Sequence, residues 1–463
     1  MMTLSRRPLA AIGAAAALAL ALTACSGSGD ADDTAADADA GVTITVGDMP
    51  TAANESGRTT FLKRVEEFEA ANPGITLDPV ETVWDAQTFQ ANVAGGTLPD
   101  VLKVPFTEIQ SLIGRGQVAD ITDAMEEVGV ADTINPQTVA VARDGDGRDF
   151  GVPVAPYAIG LFYNRDLFTQ AGLDPDAPPT TWDEVRTAAK AISDATGKAG
   201  YAQMTTENTG GWMLAAQTYS MGGSIENEEG TEITFDDEPM RQALEYLQQM
   251  RWDDASLGST VLYDMTSIAE AFAAGEVGMF LSVPSASYAA AVNNYGMARE
   301  SIGVASVPEG PGSDGSVLAG GSVAVVNPTA TEAEKEAAVR WVDFYELRQY
   351  SDEDVAVSAA QASRADGGNV GIPRIPPVRP ELYEEYLGWI AAEINVPQEY
   401  LADYADGLDD LTLRTEPVSA AQEVYAILDT VVQQVLTEEG ADIDALLATA
   451  AETAQTRIER STR

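Results

Sequence analysis

Few side chains of this chain are suited to covalent or acid–base chemistry. It has one cysteine, Cys25, and no histidine, set against 73 aspartates and glutamates. Without histidine the usual general base and the commonest metal ligand are missing, and so is every Ser-His-Asp or Cys-His arrangement, which argues against an enzyme. With 73 carboxylates, pairs of the kind a glycoside hydrolase uses arise by chance and carry almost no information. A single cysteine forbids a disulfide within the chain. Asp144-Gly145-Asp146-Gly147-Arg148-Asp149 has the composition of a calcium loop. Arg148 stands where a ligand is required and a glycine comes one place early, so the run predicts a tight hairpin turn. No metal and no cofactor are expected.

Cys25 closes Leu22-Thr23-Ala24-Cys25, after an apolar stretch from Pro8 to Leu22 that follows Arg6 and Arg7. Positive, then apolar, then small residues is the layout of a secretory signal, too short and Ala-rich for a stable spanning helix. The run resembles a bacterial lipobox. That resemblance implies removal of residues 1–24, a diacylglyceryl group on the Cys25 sulfur and usually a further acyl chain, enough to anchor the protein at the outer face of the cytoplasmic membrane. A buried apolar cysteine in an ordinary signal or anchor helix fits these flanks poorly. Ser5-Arg6-Arg7 suggests a twin-arginine signal, Pro8-Leu9-Ala10 departs from one, and the export route stays open.

Removing residues 1–24 takes two arginines and no carboxylate, so the formal charge deepens from −47 to −49. Such a field repels nucleic acid, and a nucleic-acid partner is not expected. Charged residues are 21% and hydrophobic ones 45%, a globular composition. The acidity reads as a solvated face adapted to a salty or alkaline exterior, an expectation that unfolding measured across salt concentration checks. Ser26 to Ala40 is small and acidic and predicts a disordered tether, residues 25–41 in all, with a root-mean-square span of roughly 20 Å. The remainder, about 420 residues, is more than one core usually holds and predicts two domains.

Val42-Thr43-Ile44-Thr45-Val46 alternates as a strand. Phe61, Leu62, Val65 and Phe68 share a helical face ended by Asn72-Pro73-Gly74. Residues 75–83 then look extended, 86–94 helical and 100–104 extended again. This βαβαβ run demands a parallel sheet covered by helices. Thr181-Trp182-Asp183-Glu184 and Thr331-Glu332-Ala333-Glu334 are capping boxes, each opening a helix. Met240, Ala243, Leu244, Leu247 and Met250 mark another helix, and residues 418–462 two more.

The order of further landmarks resembles the extracellular solute-binding proteins of family 1, the maltose-binding-protein-like receptors of sugar ABC transporters. It rests on Phe68-Glu69-Ala70-Ala71-Asn72-Pro73-Gly74-Ile75, Gly96-Thr97-Leu98-Pro99-Asp100-Val101, and Gly151-Val152-Pro153 leading to the run from Gly160 to Phe168. Ala171-Gly172-Leu173, Pro179 to Glu184, Phe272 to Met279 and Gly320-Gly321 follow in the family's order. These are turns, caps and core residues, so they specify fold and say little about ligand. The resemblance implies an α/β, two-lobed periplasmic-binding-protein-like fold of type II, its lobes joined by hinge crossovers around a cleft. The N-lobe is expected at 42–152 plus 279–326 and the C-lobe at 156–275 plus 330–463. Hinges are expected near Pro153–Pro156, Gly275–Gly278 and Val326–Pro328.

The function so implied is capture of a sugar or polyol, an uncharged, hydroxyl-rich guest, by a monomer that delivers it to membrane permease subunits. A sugar site needs flat aromatic surface and groups that satisfy hydroxyls. The strand-end candidates are Asp48 and Met49, Trp84 and Asp85, and Phe106 with Glu108. From the second lobe come Tyr157, then Glu207, Asn208 and Trp212 in a loop that faces the cleft in relatives, with Tyr263, Ser285 and Gly321. Trp84 and Trp212 stand out, being tryptophans in polar or Gly-rich surroundings. Relatives often carry Gly-Pro-Trp where this chain has Val283-Pro284-Ser285, and an aromatic where it has Ser322. Those gaps favour a smaller sugar or a polyol over a long maltodextrin. Competing readings are a receptor for an amine or peptide, which the acidic field would suit, a surface glycoside hydrolase, and a sensory subunit that binds without transport.

Overall fold

The computed structural model describes residues 41–227, 229–408 and 411–461. The expected signal segment, Cys25 and the acidic run to Ala40 lie outside them. Among the described residues no helix is long and apolar enough to cross a membrane.

The first lobe grows from the expected βαβαβ run. Strands β1 (Val42–Val46), β2 (Ile75–Pro79) and β3 (Val101–Pro105) pair in parallel, β1 in the middle. Two later strands extend the sheet antiparallel, β10 (Ser322–Val326) against β3 and β4 (Val152–Pro153) against β10. Helix Glu55–Ala71 covers one face with Phe61, Val65 and Phe68, while Leu62 stays 38% exposed. The run at 144–149 is a hairpin turn: Arg143 bridges Asp149, and the Asp144 carboxylate accepts from Asp146 N and Arg148 N.

The second lobe is built on β6 (Gly160–Asn164), flanked antiparallel by β7 (Met279–Ser282) and β8 (Ile302–Ala305). A further sheet orders β11 (Thr412–Thr415), β9 (Ser316–Gly320) and β5 (Tyr157–Ala158). Both capping boxes form, at Thr181 and Thr331, and the late chain gives helices Ala421–Thr437 and Ile443–Ser461.

Lobe membership differs from expectation. Residues 279–305 belong to the second lobe, because β7 and β8 are the two neighbours of β6. Helix Glu332–Val342 and its continuation belong to the first: the Trp341 ring meets Phe61 at 5.7 Å and Phe68 at 5.4 Å, and Tyr345 meets Phe61 at 5.2 Å. Such aromatic contacts each add about 0.5–1.5 kcal/mol beyond burial, which outweighs any pull of sequence neighbours.

The crossings move accordingly. The first runs from β4 to β5 across Val154 to Pro156, as expected. The second is at Gly320-Gly321-Ser322, where β9 of one lobe becomes β10 of the other. The third is Gly371 to Val378. Ile372 and Ile375 are buried in the second lobe, while the carbonyls of Pro376 and Pro377 accept from Asn135 of the first. The expected hinge at Gly275–Gly278 is instead stitched into the second lobe by Ala199 N to Glu276 O at 3.0 Å and Gly278 N to Ala199 O at 2.8 Å. Val326–Pro328 stays in the first lobe, with Asn327 N donating to Asp100 O.

Candidate functional site

The floor of the cleft is made where the first two crossings meet. Tyr157 of β5 is in register with Gly320 of β9, and Phe106 N donates to Gly321 O at 3.0 Å. A side chain at 321 would stand 2.8 Å from the Ala155 carbonyl oxygen and 2.8 Å from the Phe106 ring, so backbone and ring approach this closely only over glycine. The glycine pair thus lets three strands and one helix start converge.

The second-lobe wall is held by a buried carboxylate. Asp429, on helix Ala421–Thr437, accepts from Asn208 N at 2.8 Å and Gly211 N at 2.7 Å, satisfying the otherwise free donors at the start of helix Thr209–Ser220. Gly210-Gly211 reads as a loop in sequence, but it is the first helical turn, where a β-carbon at 211 would run into the Tyr425 backbone. Trp212 is therefore a helix residue. Its ring meets Tyr157 edge-on, centroids 6.4 Å apart at 85°, and its indole N–H is buried without a hydrogen-bond partner.

Behind this pair lies Glu416, in the segment after β11, which the sequence hides among 73 carboxylates. Burial pushes its carboxyl from 4.5 up to about 7, against the hydroxyls of Tyr425 and Tyr157, which favour ionisation, and with Glu108 pushing further up. Tyr425 Oη faces that carboxyl without completing a hydrogen bond of good geometry. Glu108, in the first turn of helix Phe106–Gly114, is itself raised by burial, with Arg115 pulling the other way. Carboxyls from both lobes are therefore within electrostatic reach of each other. Glu108 and the segment Pro417 to Glu423 border a hollow of about 980 Å³. Tyr157, Ser285 and Gly321 border another of about 310 Å³, with Arg374 and Tyr404.

The structure thus draws together Phe106, Glu108, Tyr157, Trp212, Ser285 and Gly321, and adds Glu416 and Arg374. Phe106 contributes as packing, being 3% exposed. The other candidates are placed differently. Asp48 accepts from Lys103 N at 2.8 Å beside the Lys103–Glu346 ion pair, and Met49 is buried in the first-lobe core. Asp85 caps helix Ala86–Gly95, accepting from Thr88 N at 2.9 Å, a bond that holds its carboxyl below the usual range. Trp84 leans on Phe89 at 4.9 Å, next to Ala86 on the larger hollow. Glu207 is an exposed turn residue, and the Asn208 amide reaches Gln422. Tyr263 is 8% exposed, and its main chain pairs with Thr205 and Thr206.

Residues 52–350 match the model of the bacterial extracellular solute-binding proteins. The chain belongs to this family. A provisionally named binding protein of Brucella abortus is 27% identical over 268 residues, 56% of this chain and 63% of its own length. The matched stretch therefore spans less than two thirds of that curated relative. Among solved structures, the cyclic α-maltosyl-1,6-maltose binding protein of Arthrobacter globiformis is similar with a TM-score of 0.70 at 21% identity, covering 91% of this chain and 100% of that one. UgpB of Mycobacterium tuberculosis, in complex with glycerophosphocholine, has a TM-score of 0.66 at 17% identity, covering 91% and 99%. At these identities the likeness is one of fold, a two-lobed body. In this solute-binding protein the floor Tyr157 and the wall Trp212 meet where two of the crossings do, so what touches them also touches the elements that join the lobes.

Proposed function

We propose that this protein captures a small sugar or polyol between its lobes and hands it to the permease of an ABC importer, held at the membrane by a lipid on Cys25. The observation that carries this reading is the edge-to-face pair Tyr157–Trp212 beside Glu416, whose carboxyl burial raises to about 7, at the crossing of the lobes. Aromatic rings supply the apolar surface a sugar face stacks on, and an unpartnered indole N–H is a donor waiting for a hydroxyl oxygen. Glu416 near pH 7 is available in both forms, so it accepts from one hydroxyl or donates to another. Closure of the lobes over such a guest excludes water and shifts the population towards the shape a permease reads.

The family is one of binding proteins, and the solute is expected to leave unaltered. A thermal-shift screen over mono-, di- and trisaccharides, polyols and a few amines tests the reading, since a ligand at one hundred times its Kd stabilises the native form by about 2.7 kcal/mol. A sugar or polyol that raises the melting temperature and is recovered intact supports it. Response to amines alone, or hydrolysis of the sugar, defeats it.

A further inference from the structure

The third crossing carries a cation with no anion of its own. In Gly371-Ile372-Pro373-Arg374-Ile375-Pro376-Pro377 the prolines fix φ and bar a helix, while buried Ile372 and Ile375 anchor the strand to one lobe and Asn135 holds it to the other. Arg374 is therefore held on a stiff strap between lobes. It is solvent-exposed and borders two hollows, one of about 420 Å³ and the 310 Å³ hollow that holds Tyr157, Ser285 and Gly321.

Its neighbours are phenols. Tyr350 and Tyr383 hydroxyls lie within hydrogen-bonding reach of the guanidinium, with Tyr386 close by. Burial raises all three phenols, which keeps them neutral donors. Among the described residues no carboxylate comes within 4.0 Å of Arg374, although Glu384 borders the same hollow. Arg165 and Arg186 each grip an aspartate, and Arg251 spends its donors on the carbonyls of Leu436 and Gly258. A structural arginine is saturated in this way; Arg374 borders its hollow with a guanidinium fork and the phenol of Tyr383 beside it, a donor set for an oxyanion.

We propose that Arg374 is an oxyanion subsite of the cleft, and that the solute is an acidic sugar or polyol bearing one carboxylate or phosphoryl group. This rests on the capture reading above and revises the expectation of an uncharged guest. The overall negative charge does not oppose it, because exposed charges beyond about 8 Å are screened at physiological ionic strength while a guanidinium fork acts at contact. The solute's orientation follows: the anionic end lies at Arg374, and the hydroxyls lie towards Trp212 and Glu416, where a second negative charge is unwelcome.

Calorimetric titration of the purified protein with glucose, galactose and maltose, then with glucuronate, galacturonate and glucose 6-phosphate, and finally with acetate and inorganic phosphate, tests this. At least one acidic sugar should bind about tenfold or more tighter than its neutral counterpart, and the two acidic arms identify the carboxylate or the phosphoryl source. Arg374→Gln should erase that preference, lowering acidic-sugar affinity to that of the neutral counterpart in the same variant. Arg374→Lys, which keeps the charge and loses the fork, should retain part of it and serves if the glutamine variant folds poorly. Neutral sugars binding as tightly as acidic ones, or a preference that survives Arg374→Gln, overturns the subsite and leaves sugar capture standing. Simple anions binding in an Arg374-dependent way with no sugar bound overturns sugar capture and keeps the subsite. No binding by any probe overturns both.

Discussion

The phenol ring of Tyr157 lies directly across Gly320, at the register where β5 pairs with β9, and fills the space a β-carbon at position 320 would take. The ring is held from below by an absent side chain and from the side by Trp212. Because the strands on both sides are fixed by pairing, a methyl group here moves the ring and spares the backbone. Gly320→Ala should weaken solute binding by about tenfold or more, overpacking of this kind costing roughly 1–3 kcal/mol, while the melting temperature of the free protein falls only a few degrees. Titration and thermal unfolding of the same preparation check it; full affinity in the variant removes Tyr157 from the site.

Trp212 and Trp84 should separate on substitution. Trp212 stands edge-on to Tyr157 with a buried, unpartnered N–H, so Trp212→Ala should abolish most binding and cost little stability beyond its partly buried ring. Trp84 packs on Phe89 within the first lobe, so Trp84→Ala should lower the melting temperature and change affinity less. Equal losses of affinity in the two variants would put both rings against the solute.

Stability should fall as pH rises through 7. The Glu416 carboxyl is raised from 4.5 to about 7 in the fold, so between those values the native chain holds a proton the unfolded chain has lost. The neutral form is the favoured one: the penalty for ionising Glu416 is absent below about 4.5 and complete above about 7, at most roughly 3 kcal/mol from about 1.36 kcal/mol per unit. Glu226, also raised to about 7 by burial, adds a slope of the same sign. Glu416→Gln should therefore be more stable than the parent at pH 8, similar at pH 5, and shallower between, with the share due to Glu226 remaining. Melting temperatures at pH 5, 6, 7 and 8 decide; superimposable profiles would mean that Glu416 is not buried as described.

Cys25→Ala should release the protein from the membrane fraction without altering the described fold, whose first strand is Val42–Val46. Detergent phase partitioning of cells making each form checks this. A variant that stays with the membrane would point to retention by something other than acylation of Cys25.

Local grammar was readable and long-range partnership was not. The capping boxes at Thr181 and Thr331 and the hairpin turn closed by Asp144 depend on residues a few places apart, and the first three parallel strands on the βαβ alternation that joins them; each formed as expected. The lobe boundaries depend on β6 pairing with strands more than one hundred residues later, whose apolar runs would suit either lobe equally. At the site, Asp85 follows an extended run and precedes a helix, which marks a strand-end ligand and a helix cap alike; Thr88 N decides for the cap. Gly210-Gly211 looks like a loop because glycine disfavours helices, and the reason for Gly211, the Tyr425 backbone, lies over two hundred residues away. Glu416 and Arg374 escaped notice for a related reason: one is an ordinary acid and the other sits in a proline-rich connector. Only the three-dimensional neighbourhood gives them meaning.

Ile458, on helix Ile443–Ser461, is 1% exposed inside the same apolar cluster as Leu161 and Phe162 of β6. A chain that emerges from the ribosome N-terminus first closes this cluster only once helix Ile443–Ser461, which packs on helices Ala421–Thr437 and Glu238–Trp252, has been made. Trimming a few turns of that helix would therefore uncover Ile458 and the core-facing sides of the two helices beneath it, and be felt across the second lobe.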